Sequence, residues 1–112
     1  MVGYHSIYDV YNCKKGTLDF VDQVKPIMKE IVDTVQITVI NSSFKQFEPI
    51  GVTGIYLLEE SHLSIHTWPE LDFAAIDIFS CSTLDAEKIK STISTHFETS
   101  KIALHYLERG RI

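Results

Sequence analysis

Four β-strand patterns follow one another between two helical patterns, and this order constrains the fold more than any other feature of the sequence. β-Branched and aromatic residues concentrate in six strand-like segments. These segments span residues 4–13, 35–44, 52–59, 62–68, 73–81 and 101–108. One helical pattern follows the first segment and another precedes the last, so the order is β-α-β-β-β-β-α-β. That order predicts an α+β two-layer sandwich, a largely antiparallel sheet with two helices on one face.

The two helical patterns have different start signals. In the first, apolar residues recur at helical spacing over residues 18–35, and Thr17 is the predicted N-cap. Pro26 lies inside this pattern. Because proline costs about 3 kcal/mol in a helix interior, we expect the regular helix either to begin near Pro26 or to kink there. The second helix is predicted to be capped by Ser82 or Thr83.

Length and charge exclude several classes of protein. The chain has 112 residues, and we expect residues 1–112 to form a single domain. Its net charge is −5, and its only arginines are Arg109 and Arg111, whereas a nucleic-acid binder needs a basic face. The apolar stretches are far too short to span a bilayer. We therefore expect neither a nucleic-acid partner nor a membrane partner.

The cysteines and the uncovered sheet face indicate the compartment and the assembly. Cys13 and Cys81 stand apart without disulfide-type spacing, and the first residues lack the basic start and apolar run of a secretory signal. Both observations predict free thiols in a reducing cytoplasm. Two helices on one side of the sheet would leave the other side uncovered. Since the chain is also rich in aromatic residues, we expect a second copy to cover that face, giving a homodimer.

Residues 59–70, EESHLSIHTWPE, bring a hydroxyl, two imidazoles, an indole and carboxylates into twelve positions. A hydrolase nucleophile at Ser61 would need the G-x-S-x-G elbow, which the sequence lacks. A metal site is disfavoured because His62 and His66, on one face of a strand, would lie about 13 Å apart. No further cluster of ligand residues converges in the sequence, so we expect no metal.

A third chemistry fits these residue types better. The Ser61 hydroxyl can attack the carbonyl of Glu60 and convert the peptide bond into an ester. A base then removes the α-proton of residue 61, the ester is eliminated and the chain is cut. Loss of ammonia leaves a pyruvoyl group at the new N-terminus. The reaction needs a hydroxyl that stabilises the tetrahedral species and a histidine base, and Thr53 and His66 are the candidates.

Several blocks of the sequence closely resemble the small prokaryotic S-adenosylmethionine decarboxylase proenzymes. They are GVTG at residues 51–54, ESHLSIHTWPE at 60–70 and AAIDIFSC at 74–81, and the closing ERGR at 108–111 matches more loosely. The resemblance implies a pyruvoyl-dependent carboxy-lyase that supplies the aminopropyl donor for spermidine synthesis. The ketone would form a Schiff base with the substrate amine and act as the electron sink, as PLP does elsewhere.

The resemblance also implies roles in processing and catalysis. Cleavage would fall between Glu60 and Ser61, giving a β chain of residues 1–60 and an α chain of residues 61–112 that begins with the pyruvoyl group. His66 matches the histidine that takes the serine α-proton, and Thr53 stands where the family has its processing hydroxyl. Cys81 matches the catalytic acid that protonates the substrate carbon after CO₂ leaves.

The same resemblance implies a substrate pocket. Phe47 and Trp68 match the aromatic pair that holds adenine, and Glu70 matches the carboxylate placed near the ribose. The chain departs from the family at residues 71–73, LDF, and at Ser82, where the family commonly has glycine. These changes leave the processing residues untouched but alter the pocket wall. Arginine or ornithine is therefore an alternative substrate, and a non-catalytic subunit that activates a partner is an alternative function.

Overall fold

The computed structural model describes residues 2–112, which form a six-stranded sheet with two α-helices against one of its faces. The strands are β1 (Gly3–Tyr11), β2 (Val39–Gln46), β3 (Val52–Leu58), β4 (Ser61–Trp68), β5 (Phe73–Ser80) and β6 (Lys101–Arg109). The helices are α1 (Val21–Val35) and α2 (Ala86–Phe97), and a 3-10 turn spans Pro69–Leu71. The strand order is β2-β3-β4-β5-β1-β6, and each neighbouring pair is antiparallel. The predicted α+β sandwich is confirmed.

Helix α1 begins later than its apolar pattern indicates. Its first residue is Val21, and the residue in the N-cap position is Phe20, which makes no side-chain cap bond within the described residues. The prediction of Thr17 as the cap was wrong, because its hydroxyl closes a separate turn. The side-chain oxygen of Gln46, from the end of β2, instead accepts the Val21 N–H at 2.8 Å. Pro26 therefore lies in the second turn of the helix.

Helix α2 also begins a few residues after its predicted cap. Its N-cap is Asp85, whose carboxylate accepts the N–H of Lys88 at 3.1 Å, rather than Ser82 or Thr83. A carboxylate at this position also interacts favourably with the positive end of the helix dipole, which explains why aspartate prevails over the hydroxyls before it.

Strand β2 begins at Val39, four residues after the predicted start. Val35 is still the last residue of α1, and Gln36 then takes a left-handed backbone, φ 56°, which ends the helix. The β-branched residues near this junction fit a helix face as well as a strand, so their composition could not separate the two elements.

The alternation of side chains divides the sheet into two faces. We call the side that packs against α1 and α2 the inner face. Its buried residues include Tyr8, Val10, Val52, Leu63, Ile65, Ile76 and Ile78. They pack with buried residues of the helices, which include Val24, Met28, Ile31, Ile89, Ile93 and Phe97. Burying each large aliphatic side chain contributes about 1.5–3 kcal/mol, so this layer holds the fold together.

The opposite side is the outer face. Within the described residues, both helices lie on the inner side. Apolar side chains are exposed on the outer face, among them Ile55, Leu57 and Leu107. None of the described helices is long and apolar enough to cross a bilayer.

The two cysteines should differ sharply in reactivity. Cys13 is 3% exposed, and burial together with the negative charge of Asp72 raises its pKa to about 11, so the reactive thiolate is scarce at neutral pH. Cys81 is exposed. We expect brief iodoacetamide treatment of the native protein at neutral pH to alkylate Cys81 alone. Intact mass followed by peptide mapping measures this, and a urea-denatured sample should label at both thiols. Rapid labelling of Cys13 in the folded protein would contradict the assignment.

Candidate active site

Ser61 is the first residue of β4 and follows a tight turn. It pairs with Leu58 across the β3–β4 hairpin and with Ser80 on β5, so residues 59–60 form a two-residue loop. Glu60 has a left-handed backbone, with φ 61°. A residue with a side chain rarely adopts this conformation, which costs of the order of 1 kcal/mol or more. The bond between Glu60 and Ser61 therefore lies in a strained turn.

The Ser61 hydroxyl is buried without a hydrogen-bond partner among the described residues. The residue is 9% exposed, and its Oγ lies out of contact with solvent. A buried hydroxyl that makes no hydrogen bond costs about 1–3 kcal/mol. A serine that served only the turn would be expected to bond to a neighbouring backbone group. The unused hydroxyl fits a group reserved for reaction with the adjacent carbonyl.

Cys81 contacts the same peptide unit. Because Ser61 pairs with Ser80, the residue after β5 lies beside the turn, and the Cys81 thiol donates to the Glu60 carbonyl oxygen at 3.2 Å. This is the carbonyl that the Ser61 hydroxyl would attack. A pocket of about 270 Å³ opens here, lined by residues 36–38, 59–60 and 80–82. The residues at the turn thus fit the formation of a pyruvoyl group from Ser61.

A second group of residues gathers at the other end of β3 and β4. Thr53 and His66 are cross-strand partners, and the Thr53 hydroxyl lies 3.2 Å from the His66 Nδ1. A pocket of about 310 Å³ joins them to Phe47, Trp68 and Glu70. Phe47 is 46% and Trp68 41% exposed, so neither serves only to fill the core. Five of the residues singled out in the sequence therefore line one pocket.

The two groups are separated within one protomer. Ser61 and His66 are five residues apart on β4, which is about 16 Å along a strand. An odd spacing also puts them on opposite faces, with Ser61 buried on the inner side and His66 exposed on the outer side. The sequence pattern predicts that Ser61, Thr53 and His66 act together, but a single copy of the chain does not bring them together.

Two further side chains position the pocket around Trp68, and the sequence alone did not indicate them. Thr67 lies between His66 and Trp68 on the strand, and its hydroxyl accepts the Val52 N–H and donates to the Leu18 carbonyl, both at 2.9 Å. Gln46 donates to the Gly51 carbonyl at 3.1 Å and so ties the loop before β3 to the end of β2. Gln46 lies outside the motif blocks and Thr67 lies inside one without an assigned role, so only the three-dimensional contacts reveal their function.

The structure also reveals a cluster on the outer face that the sequence analysis did not find. His5, His62 and Asp77 come from β1, β4 and β5, and one ligand atom of each lies within 4.8 Å of the others. The Asp77 Oδ2 is 2.6 Å from the His5 Nε2 and 3.3 Å from the His62 Nε2, and its Oδ1 accepts a bond from the Ser64 hydroxyl. The partners lie far apart in the chain, and only the strand register brings them together.

Hydrogen bonds hold the members of this cluster together. The Arg109 guanidinium lies 3.2 Å from the His5 Nδ1, and a guanidinium can only donate. The His5 Nδ1 must therefore accept, which leaves the proton on Nε2, facing Asp77. Burial alone would raise the pKa of Asp77, but hydrogen bonds from Ser64, His5 and His62 outweigh it and hold the pKa below its usual range. Asp77 is thus a carboxylate that accepts from its neighbours.

Known proteins provide close matches over the whole chain. Residues 4–110 match the model of a family described as S-adenosylmethionine decarboxylase. An S-adenosylmethionine decarboxylase proenzyme of Archaeoglobus fulgidus is 40% identical over 98% of this chain and 99% of its own length. One from Fervidobacterium nodosum is also 40% identical, over 98% of this chain and 80% of its own length.

A solved structure agrees with the sequence matches. The crystal structure of the adenosylmethionine decarboxylase from Aquifex aeolicus superimposes with a TM-score of 0.89 at 32% sequence identity. The match covers 99% of this chain and 92% of that one. On sequence and on fold alike, the chain belongs to the S-adenosylmethionine decarboxylase family.

Proposed function

We propose that this chain is a self-processing decarboxylase of S-adenosylmethionine that cuts its own backbone between Glu60 and Ser61. The geometry of the turn at this bond is the main support for the proposal. Its serine hydroxyl is buried and lacks a partner within residues 2–112, its Glu60 backbone is left-handed, and the Cys81 thiol binds the Glu60 carbonyl. The relatives named above are called proenzymes, which agrees with a chain that matures by cutting itself.

Processing begins at the Glu60 carbonyl. The Ser61 oxygen attacks the carbonyl carbon, the peptide C–N bond breaks, and the hydroxyl proton ends on the freed nitrogen, so an ester replaces the peptide bond. The Cys81 thiol stabilises the charge that develops on the carbonyl oxygen. A base then removes the α-proton of residue 61, the Cβ–Oγ bond breaks and Glu60 leaves as a carboxylate. Hydrolytic loss of ammonia leaves the pyruvoyl group on a chain of residues 61–112.

A second copy of the chain completes the site. His66 is the proposed base and Thr53 the processing hydroxyl, yet the Ser61 of the same protomer lies about 16 Å away on the other face. We infer a homodimer in which the outer faces of two copies pack together in opposite directions. In a two-fold pair the contacts are reciprocal, so His66 of each copy takes the α-proton of residue 61 of the other, since that proton points away from the buried Ser61 side chain and towards the outer face. The exposed apolar residues Ile55 and Leu57 support packing at this face.

The pocket around Trp68 holds the adenosine part of the substrate. Phe47 and Trp68 present flat apolar surfaces, and stacking on such rings contributes about 1–3 kcal/mol per base in nucleic-acid binders. The cationic sulfonium is attracted to aromatic faces as well. The Glu70 carboxylate can accept hydrogen bonds from the ribose hydroxyls.

Cys81 then acts a second time. The pyruvoyl group derived from Ser61 supplies the electron sink for decarboxylation. The exposed Cys81 thiol, beside residue 61, delivers a proton to the substrate carbon that has lost CO₂. The product is the aminopropyl donor for spermidine synthesis. We expect the protein in the cytoplasm, where such a thiol stays reduced.

Replacing Ser61 with alanine should abolish cutting, because no other hydroxyl of residues 2–112 is placed on the Glu60 carbonyl. Intact mass under denaturing conditions after long incubation should give one uncut chain for Ser61→Ala and two fragments for the wild type. The second wild-type fragment should start with a ketone. A wild-type chain that stays whole while it releases CO₂ would overturn the processing proposal.

The substrate is tested on the cut protein. Carboxyl-labelled S-adenosylmethionine, arginine and ornithine are supplied one at a time, and labelled CO₂ is collected. We expect release from S-adenosylmethionine alone. Release from arginine or ornithine would assign a different substrate to the same processed site, and a cut protein inactive on all three would favour a partner-activating subunit.

The two proposed roles of Cys81 can be separated by a pair of variants. Cys81→Ala removes the donor on the Glu60 carbonyl, so cutting should slow about tenfold or more, since deleting one oxyanion donor is costly. Cys81→Ser keeps a donor and should cut faster than Cys81→Ala, yet it should turn over poorly because a hydroxyl is a weaker acid than a thiol. Cutting is followed by mass and turnover by CO₂ release per cut site. Equal cutting in both variants would remove the thiol from the processing step.

Mixed dimers test whether the site is shared between copies. Ser61→Ala and His66→Ala chains should each be inactive alone. Co-expressed at equal levels, they should recover about a quarter of wild-type activity, because half of the pairs are mixed and each holds one complete site of two. A sedimentation measurement checks that the chains pair. Mixed pairs that form but recover nothing would put both residues in the same protomer's site.

A further inference from the structure

Cutting the chain breaks the peptide bond that holds the reacting residue, residue 61, in the turn. Before cutting, residue 61 is joined to Glu60 in the β3–β4 turn. After cutting it becomes the free end of β4, and chain ends fray unless side chains or backbone bonds hold them. A reacting group must nevertheless stay within about half an ångström of its productive position. Something in the fold must therefore hold the start of β4 once the chain is cut.

His62 is the first intact side chain beyond the cut. Its Nε2 lies 3.3 Å from the Asp77 Oδ2, and its ring stacks on that of Phe79 at 6.1 Å with an interplanar angle of 22°. Phe79 is its cross-strand partner on β5, so both of these contacts lead to a strand that stays intact. On the other side, Leu57 and Leu58 of β3 still pair with residues 61–62, but residues 59–60 beyond them become a free end themselves.

Asp77 is a fixed anchor for this contact. Ser64 holds one of its oxygens, and His5 on β1 donates to the other at 2.6 Å. Arg109 at the end of β6 in turn binds the far nitrogen of His5 at 3.2 Å. Hydrogen bonds thus link four adjacent strands, and the carboxylate has little freedom to follow a fraying β4.

We propose that His62 is a positioning residue, whose hydrogen bond to Asp77 holds the N-terminus of β4 in place after processing. We call this contact between His62 and Asp77 the clasp. The proposal rests on the function argued above, since it needs a chain cut before Ser61. The clasp acts on the cut chain, because the uncut turn is already held covalently. Loss of His62 should therefore affect turnover and leave cutting nearly unchanged. A residue needed only for the fold would affect both.

The first experiment compares His62→Ala with the wild type. We expect cutting, followed by intact mass, to stay within about threefold of the wild-type rate. Turnover per cut site should fall about tenfold or more, because displacing reacting groups by an ångström costs up to about 100-fold. His62→Gln, whose amide N–H can still reach Asp77, should recover much of the loss. His96→Ala on α2 is the matched control and should leave both rates unchanged.

Hydrogen exchange provides a readout that does not depend on activity. In the cut protein, His62→Ala should speed amide exchange in the peptide that begins at residue 61 by about tenfold, as local opening becomes easier. In the uncut Ser61→Ala background, the same substitution should change that exchange by less than about twofold. Asp77→Asn weakens the anchor without removing the imidazole, and it should give the same difference between cut and uncut chains.

The outcomes separate this proposal from the proposed function. Unchanged turnover in His62→Ala, equal slowing of cutting and turnover, or faster exchange in both backgrounds would each overturn the clasp. If His62→Ala does not fold, Asp77→Asn decides by the same three criteria. A wild-type chain that is never cut would instead defeat the processing step itself, and with it any need for a clasp.

Discussion

The two-residue period of β4 is the constraint on which the arrangement of the site depends. Odd-numbered residues of this strand face α1 and α2, and even-numbered ones face away. Ser61 therefore shares its side with the core residues Leu63 and Ile65, whereas His66 lies on the other side with Trp68. A shift of register by one residue would bury the imidazole and expose the core, so packing of the apolar side also fixes which chemical groups can meet.

Because of this constraint, the reactive groups lie at opposite ends and on opposite faces of β4. The end at Ser61 has a strained turn, an unused hydroxyl and a thiol on the adjacent carbonyl. The end at His66 has the Thr53 hydroxyl, which contacts the imidazole, and a pocket with aromatic walls. Each end lacks what the other provides, so a second copy facing the first is the simplest arrangement that supplies both. The same pairing would cover the apolar residues of the outer face.

The sequence predicted most of the fold and indicated the residues of the candidate site, but not their grouping. The order of strands and helices along the chain follows from local composition, and the pocket around Trp68 comes from residues on or beside β3 and β4, so both were within reach. The start of α1 was missed because its first N–H is bound by Gln46, 25 residues further along the chain. The cluster around Asp77 was missed for a related reason, since the pairing of β5 with β4 on one side and β1 on the other depends on register, and no local pattern encodes it.

The strand order also explains how a chain cut at residue 60 can stay in one piece. With the proposed cut, the first fragment would contain β1, β2, β3 and α1, and the second would contain β4, β5, β6 and α2. In the sheet, β1 lies between β5 and β6, so a strand of the first fragment is bound on both edges by strands of the second. Strand β4 pairs in turn with β3, and the two helices pack over one common core. Separating the fragments would break three strand pairings at once and expose that core, whereas the cut removes only one peptide bond in a surface turn. The same interleaving lets the chain keep an unsatisfied hydroxyl and a strained residue at the cut, since their cost of a few kcal/mol is small beside the burial that both fragments share.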